Sequence, residues 1–127
     1  MSVSTYAFIL AVVELLVGLP LVVAPAKTAD WLTRLIEKDV QYRLVGAVFL
    51  VISVLVLAEN SSVNWSVAGL VRLAAWLGAI KSLIICWWPG WHAELADWFL
   101  ATTLRRRAFG VAAVAAGVLF FWAGSVL

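Results

Sequence analysis

Apolar positions dominate four stretches of this chain, residues 5–24, 42–59, 66–87 and 108–127, and polar positions gather between them. A helix needs about 20 apolar residues to cross a ~30 Å hydrocarbon core, so each stretch predicts a membrane span. The second is the shortest and reaches full length only by taking in Gln41 or Tyr42. Lipid offers no water to backbone N–H and C=O groups, and a lone chain of this size cannot close a barrel from such segments, so the spans are helices. Residues 26–38 and 90–103 follow another pattern. Trp31, Leu32, Leu35 and Ile36 recur at helical spacing, with Lys27, Asp30, Arg34, Glu37 and Lys38 expected on the opposite side. Trp91, Leu95, Trp98 and Phe99 repeat the theme, with Glu94 and Asp97 away from them. Both predict short amphipathic helices lying in the membrane interface.

The two links are related. A shift of 64 residues lays Pro25 on Pro89, Asp30 on Glu94, Arg43 on Arg107 and Gly46 on Gly110 without a gap. The register continues into the spans, where Ala11 meets Ala75, Gly18 meets Ser82, and Ser53 meets Gly117. The expected architecture is therefore an all-α membrane protein of two tandem repeats, residues 1–60 and 61–127, each a span, an interfacial helix and a span. Because each unit crosses twice, the copies point the same way and are expected to share a pseudo-two-fold axis along the membrane normal.

Composition agrees with a lipid-dissolved chain: 65% of the 127 residues are hydrophobic and 13% charged, where a soluble domain carries about 45–50% and about 25%. The net charge of +2 and the absence of a basic run interleaved with aromatics argue against nucleic acid as a partner. One cysteine, Cys86, cannot form an internal disulfide. The opening MSVST lacks the positive region of a signal peptide, and the apolar run after it is too long for one.

Charge also sets an expected topology. Lys27, Arg34, Lys38 and Arg43 lie between spans one and two, and Arg105, Arg106 and Arg107 between spans three and four, whereas the segment around ENSSVNW carries no cation. The positive-inside rule then places both links in the cytoplasm and both termini outside. Trp31, Trp87, Trp88, Trp91 and Trp98 suit an aromatic belt on the link side and Trp65 marks the other. Asn60-Ser61-Ser62 and Asn64-Trp65-Ser66 match a glycosylation pattern and are read as a polar turn.

Within the spans, small residues recur on one face: Gly110, Ala113, Gly117 and Gly124 in span four, Gly46 and Ser53 in span two, Ala11 and Gly18 in span one, Ala75 and Ser82 in span three. In lipid, close backbone approach drives helix association, so these stripes are expected packing faces, either within the chain or toward a partner. Three ionisable residues also fall within spans: Glu14, Arg72 and Lys81. A bare charge at mid-membrane costs on the order of 3 kcal/mol on insertion scales, so Glu14 needs a partner. Lys81, one turn beyond Gly78 (the repeat-equivalent of Glu14), is the expected one, while Arg72 is near enough to the outer surface to snorkel. His92 has no second His or Cys beside it, so no metal centre is expected. No nucleophile–base set, phosphate loop or paired-carboxylate site is found, and neither an enzyme nor a cofactor is expected.

The segments LAVVELLVGLPLVVAP and WLTRLIEKDVQYRLVG together resemble the YjeT-type family of small bacterial inner-membrane proteins, apparently duplicated here in tandem. That family has two spans, a glutamate-bearing first helix ending in proline, an amphipathic link and an Arg-x-x-Gly opening the second helix. The resemblance covers residues 10–58 and, more faintly, 73–123, and it makes Glu14, Pro25, Arg43 and Gly46 the family-type positions. Three residues separate Glu14 from Gly18 here where the family has glutamate and glycine adjacent, and Gly78 takes the place of glutamate in the second copy. The resemblance implies the bacterial plasma membrane and carries no activity. The expected role is a non-catalytic accessory subunit of a larger membrane complex, such as an envelope transporter or electron-transfer assembly. Its partners would be lipids and the transmembrane helices of other subunits. The alternative is a small homo-oligomeric proton-coupled transporter using Glu14.

Overall fold

The computed structural model describes all of residues 1–127 as six helices and no strand. They are α1 (Val3–Val23), α2 (Pro25–Glu37), α3 (Asp39–Glu59), α4 (Val67–Trp87), α5 (Pro89–Phe99) and α6 (Thr103–Val126). α1, α3, α4 and α6 are each long and apolar enough to cross a membrane, which makes this a multi-pass membrane protein. α2 and α5 are the short links.

The sharp elbows come from proline. Pro25 and Pro89 open α2 and α5 at a position whose missing N–H costs nothing. The single residue before each, Ala24 or Trp88, leaves the helical region (φ −135° and −131°) as the residue before a proline tends to. Each still donates its N–H 2.7 Å to the carbonyl four residues back, Pro20 or Ile84. A third proline, Pro20, lies inside α1 and leaves the carbonyl of Leu16 without its usual donor. Ser2 and Ser66 cap α1 and α4 with their hydroxyls, accepting from Thr5 N and Gly69 N.

Three helix boundaries lie three or more residues from the expected edges. α3 starts at Asp39 rather than 42, α6 at Thr103 rather than 108, and α5 ends at Phe99 rather than 103. A helix begins where its orphan N–H groups find acceptors, and Thr102 supplies one for Arg105 N at 3.2 Å. Arg105, Arg106 and Arg107 therefore ride on the first turns of α6, outside the apolar run but inside the helix.

The spans pack as two antiparallel pairs, α1 on α6 and α3 on α4. The small residues are what let each pair close. A Cβ added to Gly18 would lie 2.8 Å from the backbone nitrogen of Val114 and 2.9 Å from the carbonyl of Gly110. Gly110 in turn faces Leu21 and the Gly18 carbonyl, while Gly46 faces Ile85 and the Ser82 carbonyl. The two pairs meet in a cluster of Tyr6, Ala7, Val56, Val71, Ala75 and Ala123, near the end that holds the α3–α4 loop. At the elbow end a second cluster, Leu21, Ala29 and Leu100, seats α2 against α1 and the start of α6.

Candidate functional site

All nine small residues expected at packing faces, Ala11, Gly18, Gly46, Ser53, Ala75, Ser82, Gly110, Gly117 and Gly124, are buried within this one chain. They are occupied by its own helices. What remains for a partner is the outward surface, where Leu16, Val48, Leu77, Val118 and Leu119 are each about half exposed or more.

The polar residues at membrane depth fall into two groups. One is satisfied internally. The Tyr6 hydroxyl and Ser53 Oγ lie 3.3 Å apart, both side chains buried, and Gly78 leaves the room for them: its Cβ would stand 3.1 Å from the Tyr6 oxygen. Tyr6 was not singled out by sequence, although a tyrosine inside a span carries the signal, since its hydroxyl must find a partner in lipid. The other group, Glu14 and Lys81, is not satisfied. Glu14 shares its face of α1 with Ala7, Ala11, Gly18 and Leu21, at three- and four-residue spacing, and is half-buried. It makes no ion pair within 4 Å, the two in the chain being Met1–Glu59 and Arg43–Asp39. Lys81 is exposed on α4 and close enough for its charge to act on Glu14, but the expected contact is open. Lys81 begins beyond the repeat-equivalent of Glu14 and only six residues before the end of α4, about 9 Å of helix, a distance over which a lysine reaches toward the interface.

Arg72 reaches toward the α3–α4 loop. Its Nη1 donates to the Ser62 carbonyl at 3.4 Å, and Trp76, one turn on, donates to the Ser61 carbonyl at 3.1 Å. Together they hold the α3–α4 loop against α4. Its Nε is buried without a partner. In that loop Asn60 Oδ1 accepts from Ser62, and Asn64 Oδ1 accepts from Ser66, two side-chain turns that use both asparagines as turn formers. Trp65 is 96% exposed at the loop tip.

The elbow end is built from aromatic and basic residues. The hydroxyl of buried Tyr42 hydrogen-bonds His92 Nδ1 and ties α5 to α3, a link across 50 positions that no sequence pattern marks. Burial holds the His92 imidazole below the ordinary histidine pKa. Arg105 lies 4.3 Å over the Trp98 ring and donates to the Trp98 carbonyl, and Arg106 donates to the Leu100 carbonyl at 2.7 Å. Arg43 pairs with Asp39 at 3.1 Å. Arg107, Trp31, Trp87, Trp88, Trp91 and Trp98 are exposed, as an interfacial belt requires.

One expectation about α2 is corrected. Trp31 does not stand opposite the cations of α2. It stands in line with Lys27, Arg34 and Lys38, whose four-three-four spacing puts all four on one stripe, while Ala29 and Leu32 face the bundle. Aromatic character alone does not fix the face on which Trp31 stands. Two grooves lie along this stripe, one against α1 and one toward the start of α3. No three His, Cys, Asp or Glu side chains converge.

Fold and polar placement define a small polytopic helical membrane protein with an unpaired carboxylate in its first span. No family model, curated protein or solved structure matches the chain.

Proposed function

We propose that this protein is a non-catalytic accessory subunit of a larger bacterial inner-membrane complex, joined to it by contacts between transmembrane helices. The observation that carries the reading is Glu14, a half-buried carboxylate in the first span with no hydrogen bond and no ion pair inside its own chain. In lipid such a group calls for a donor, and Lys81 alone does not close on it. A neighbouring subunit supplies the missing contact and covers the broad apolar faces of α3 and α6. Both termini lie outside and the elbows on the cytoplasmic side, a placement supported by the seven cations of the elbow end against Arg72 at the loop end.

The chain arose by tandem duplication of a two-span unit related to the YjeT-type pattern. Four correspondences support this: α4 begins and ends 64 residues after α1, Ser66 caps as Ser2 does, Trp88 turns as Ala24 does, and Gly46 meets Ile85 and Ser82 as Gly110 meets Leu21 and Gly18. A two-fold axis along the membrane normal exchanges the α1–α6 pair with the α4–α3 pair.

The test is gentle-detergent extraction of the tagged protein from native membranes, with identification of what comes with it. A stoichiometric larger assembly is expected, reduced about tenfold by Glu14→Gln, the effect of losing one charge-assisted contact of about 1.4 kcal/mol. Recovery of the protein alone, as monomer or homodimer, sinks this reading and turns attention to proton-coupled transport through Glu14.

A further inference from the structure

The two elbows use their cations differently. In the second, Arg105 and Arg106 are consumed by the chain itself, on the Trp98 and Leu100 carbonyls and the Trp98 ring. In the first, Lys27 and Lys38 have no partner, and Arg34 donates only to the Asp30 carbonyl of its own helix at 3.4 Å. Those three form one stripe with Trp31, and the stripe borders a trough. Near α1 the trough is about 310 Å³, walled by Leu16, Val17 and Leu32 with Lys27 and Thr28 at its rim. It continues past Trp31 into a second stretch of about 280 Å³ beside Arg34, Leu35 and Lys38. An apolar slot running down a membrane span, opening at the interface onto three unpaired cations and a tryptophan, has the chemistry of one particular membrane component. The repeat-equivalent positions of Lys27, Trp31 and Arg34 are Trp91, Leu95 and Trp98, so the second elbow lacks the feature.

We propose that the trough between α1 and α2 seats one anionic phospholipid of the adjoining leaflet. Its acyl chain lies along Leu16, Val17 and Leu32, and its phosphate sits between Lys27 and Arg34, with Lys38 about 6 Å further along adding to the positive field. Trp31 stands at the junction, its ring against the glycerol level where indoles prefer to lie. Asp30 and Glu37 border the stripe, about 40° and 60° round the helix from Arg34 at 100° per residue, but neither pairs with its cations, which outnumber them three to two and leave the trough net positive. The proposal does not depend on a protein partner and stands or falls separately from the subunit reading.

The test is native mass spectrometry of the whole protein, purified in detergent and exchanged into equal amounts of phosphatidylglycerol and phosphatidylcholine with identical acyl chains. The expected result is one retained phosphatidylglycerol. Lys27→Gln/Arg34→Gln/Lys38→Gln should lower that retention tenfold or more, since each interfacial cation contributes about fivefold. Arg105→Gln/Arg106→Gln/Arg107→Gln, which removes equal charge from the other elbow, should leave it within about twofold. Equal loss in both variants overturns the proposal in favour of diffuse surface charge, and retention of phosphatidylcholine alike overturns it by showing that the headgroup charge is not read. Displacement of the lipid by inorganic phosphate alone also overturns it, because the acyl slot would then contribute nothing. Should the triple variant fail to fold, Lys27→Gln on its exposed side chain reads the same loss at about fivefold.

Discussion

Gly18→Ala is the sharpest probe of the architecture, because it adds one methyl group where α1 lies directly against the backbone of α6. The new Cβ would lie 2.8 Å from Val114 N, 2.9 Å from the Gly110 carbonyl and 2.9 Å from the Ala113 Cβ, against an ordinary contact of at least 3.4 Å. Two of the three obstacles are backbone and the third is itself a Cβ, so no rotamer relieves them and the helices must separate. A radial gap of about 0.5–1 Å forfeits a quarter to a half of each dispersion contact along the seam, and overpacking of this kind costs about 1–3 kcal/mol. Alanine also gains helix propensity over glycine, about 0.4–1 kcal/mol, which must be subtracted. Gly90→Ala supplies that correction: a Cβ there meets nothing within 4 Å, and it should stabilise by the propensity term alone. The assay is reversible unfolding in mixed micelles followed by the fluorescence of the eight tryptophans. Gly90→Ala should exceed Gly18→Ala in stability by at least about 1 kcal/mol, the low end of the overpacking cost. Equal stabilities for the two variants would refute the close α1–α6 seam.

Three further outcomes are expected. Tyr6→Phe and Ser53→Ala should each cost about 0.6 kcal/mol, up to about 1.7, and the double variant little more than either, as thermal melts in detergent would show; additive losses would mean the two side chains do not share a bond. Because His92 is held below the ordinary value, the unfolded chain binds its proton more readily, so stability is fully present above about pH 6.5 and falls as pH drops toward the folded value; melts across that range should lose this component in His92→Gln, and an unchanged pH profile would show that His92 is not buried. Arg72→Gln or Trp76→Phe should speed amide exchange at residues 61–65, since each removes a donor to a loop carbonyl; unaltered exchange would mean the loop holds its shape without them.

The spans were legible because length and apolarity alone decide what crosses lipid. The glycine and alanine faces were legible for a related reason. With no hydrophobic drive between helices, close approach is what remains to hold them, and only small residues permit it. Periodicity marks a face but not what it meets, so the pairing of α1 with α6 had to come from structure. The true start of α6 was hidden because Thr102 caps it ahead of three arginines that hydropathy excludes. Tyr42 and His92 sit far apart in sequence, each unremarkable alone. The Glu14–Lys81 contact was inferred from shared depth, which fixes height in the membrane but not azimuth or rotamer.

The pairing of α1 with α6 has a consequence for how the chain is put together. α3 and α4 are joined by a short turn and can close on each other as soon as both are inserted. The matching face of α1, with Ala11 and Gly18, has to wait in lipid until α6 is made, the last helix in the order of synthesis. A product stopped before Thr103 would leave that face bare and offer membrane quality control an obvious target. When α6 arrives it brings Gly124 beside Ser4, whose hydroxyl donates 2.9 Å to the Gly124 carbonyl. The start of α1 and the end of α6 therefore lie side by side. A short tether could join them and the chain could be reopened in the α3–α4 loop, giving a circular permutant in which α1 and α6 become the early hairpin.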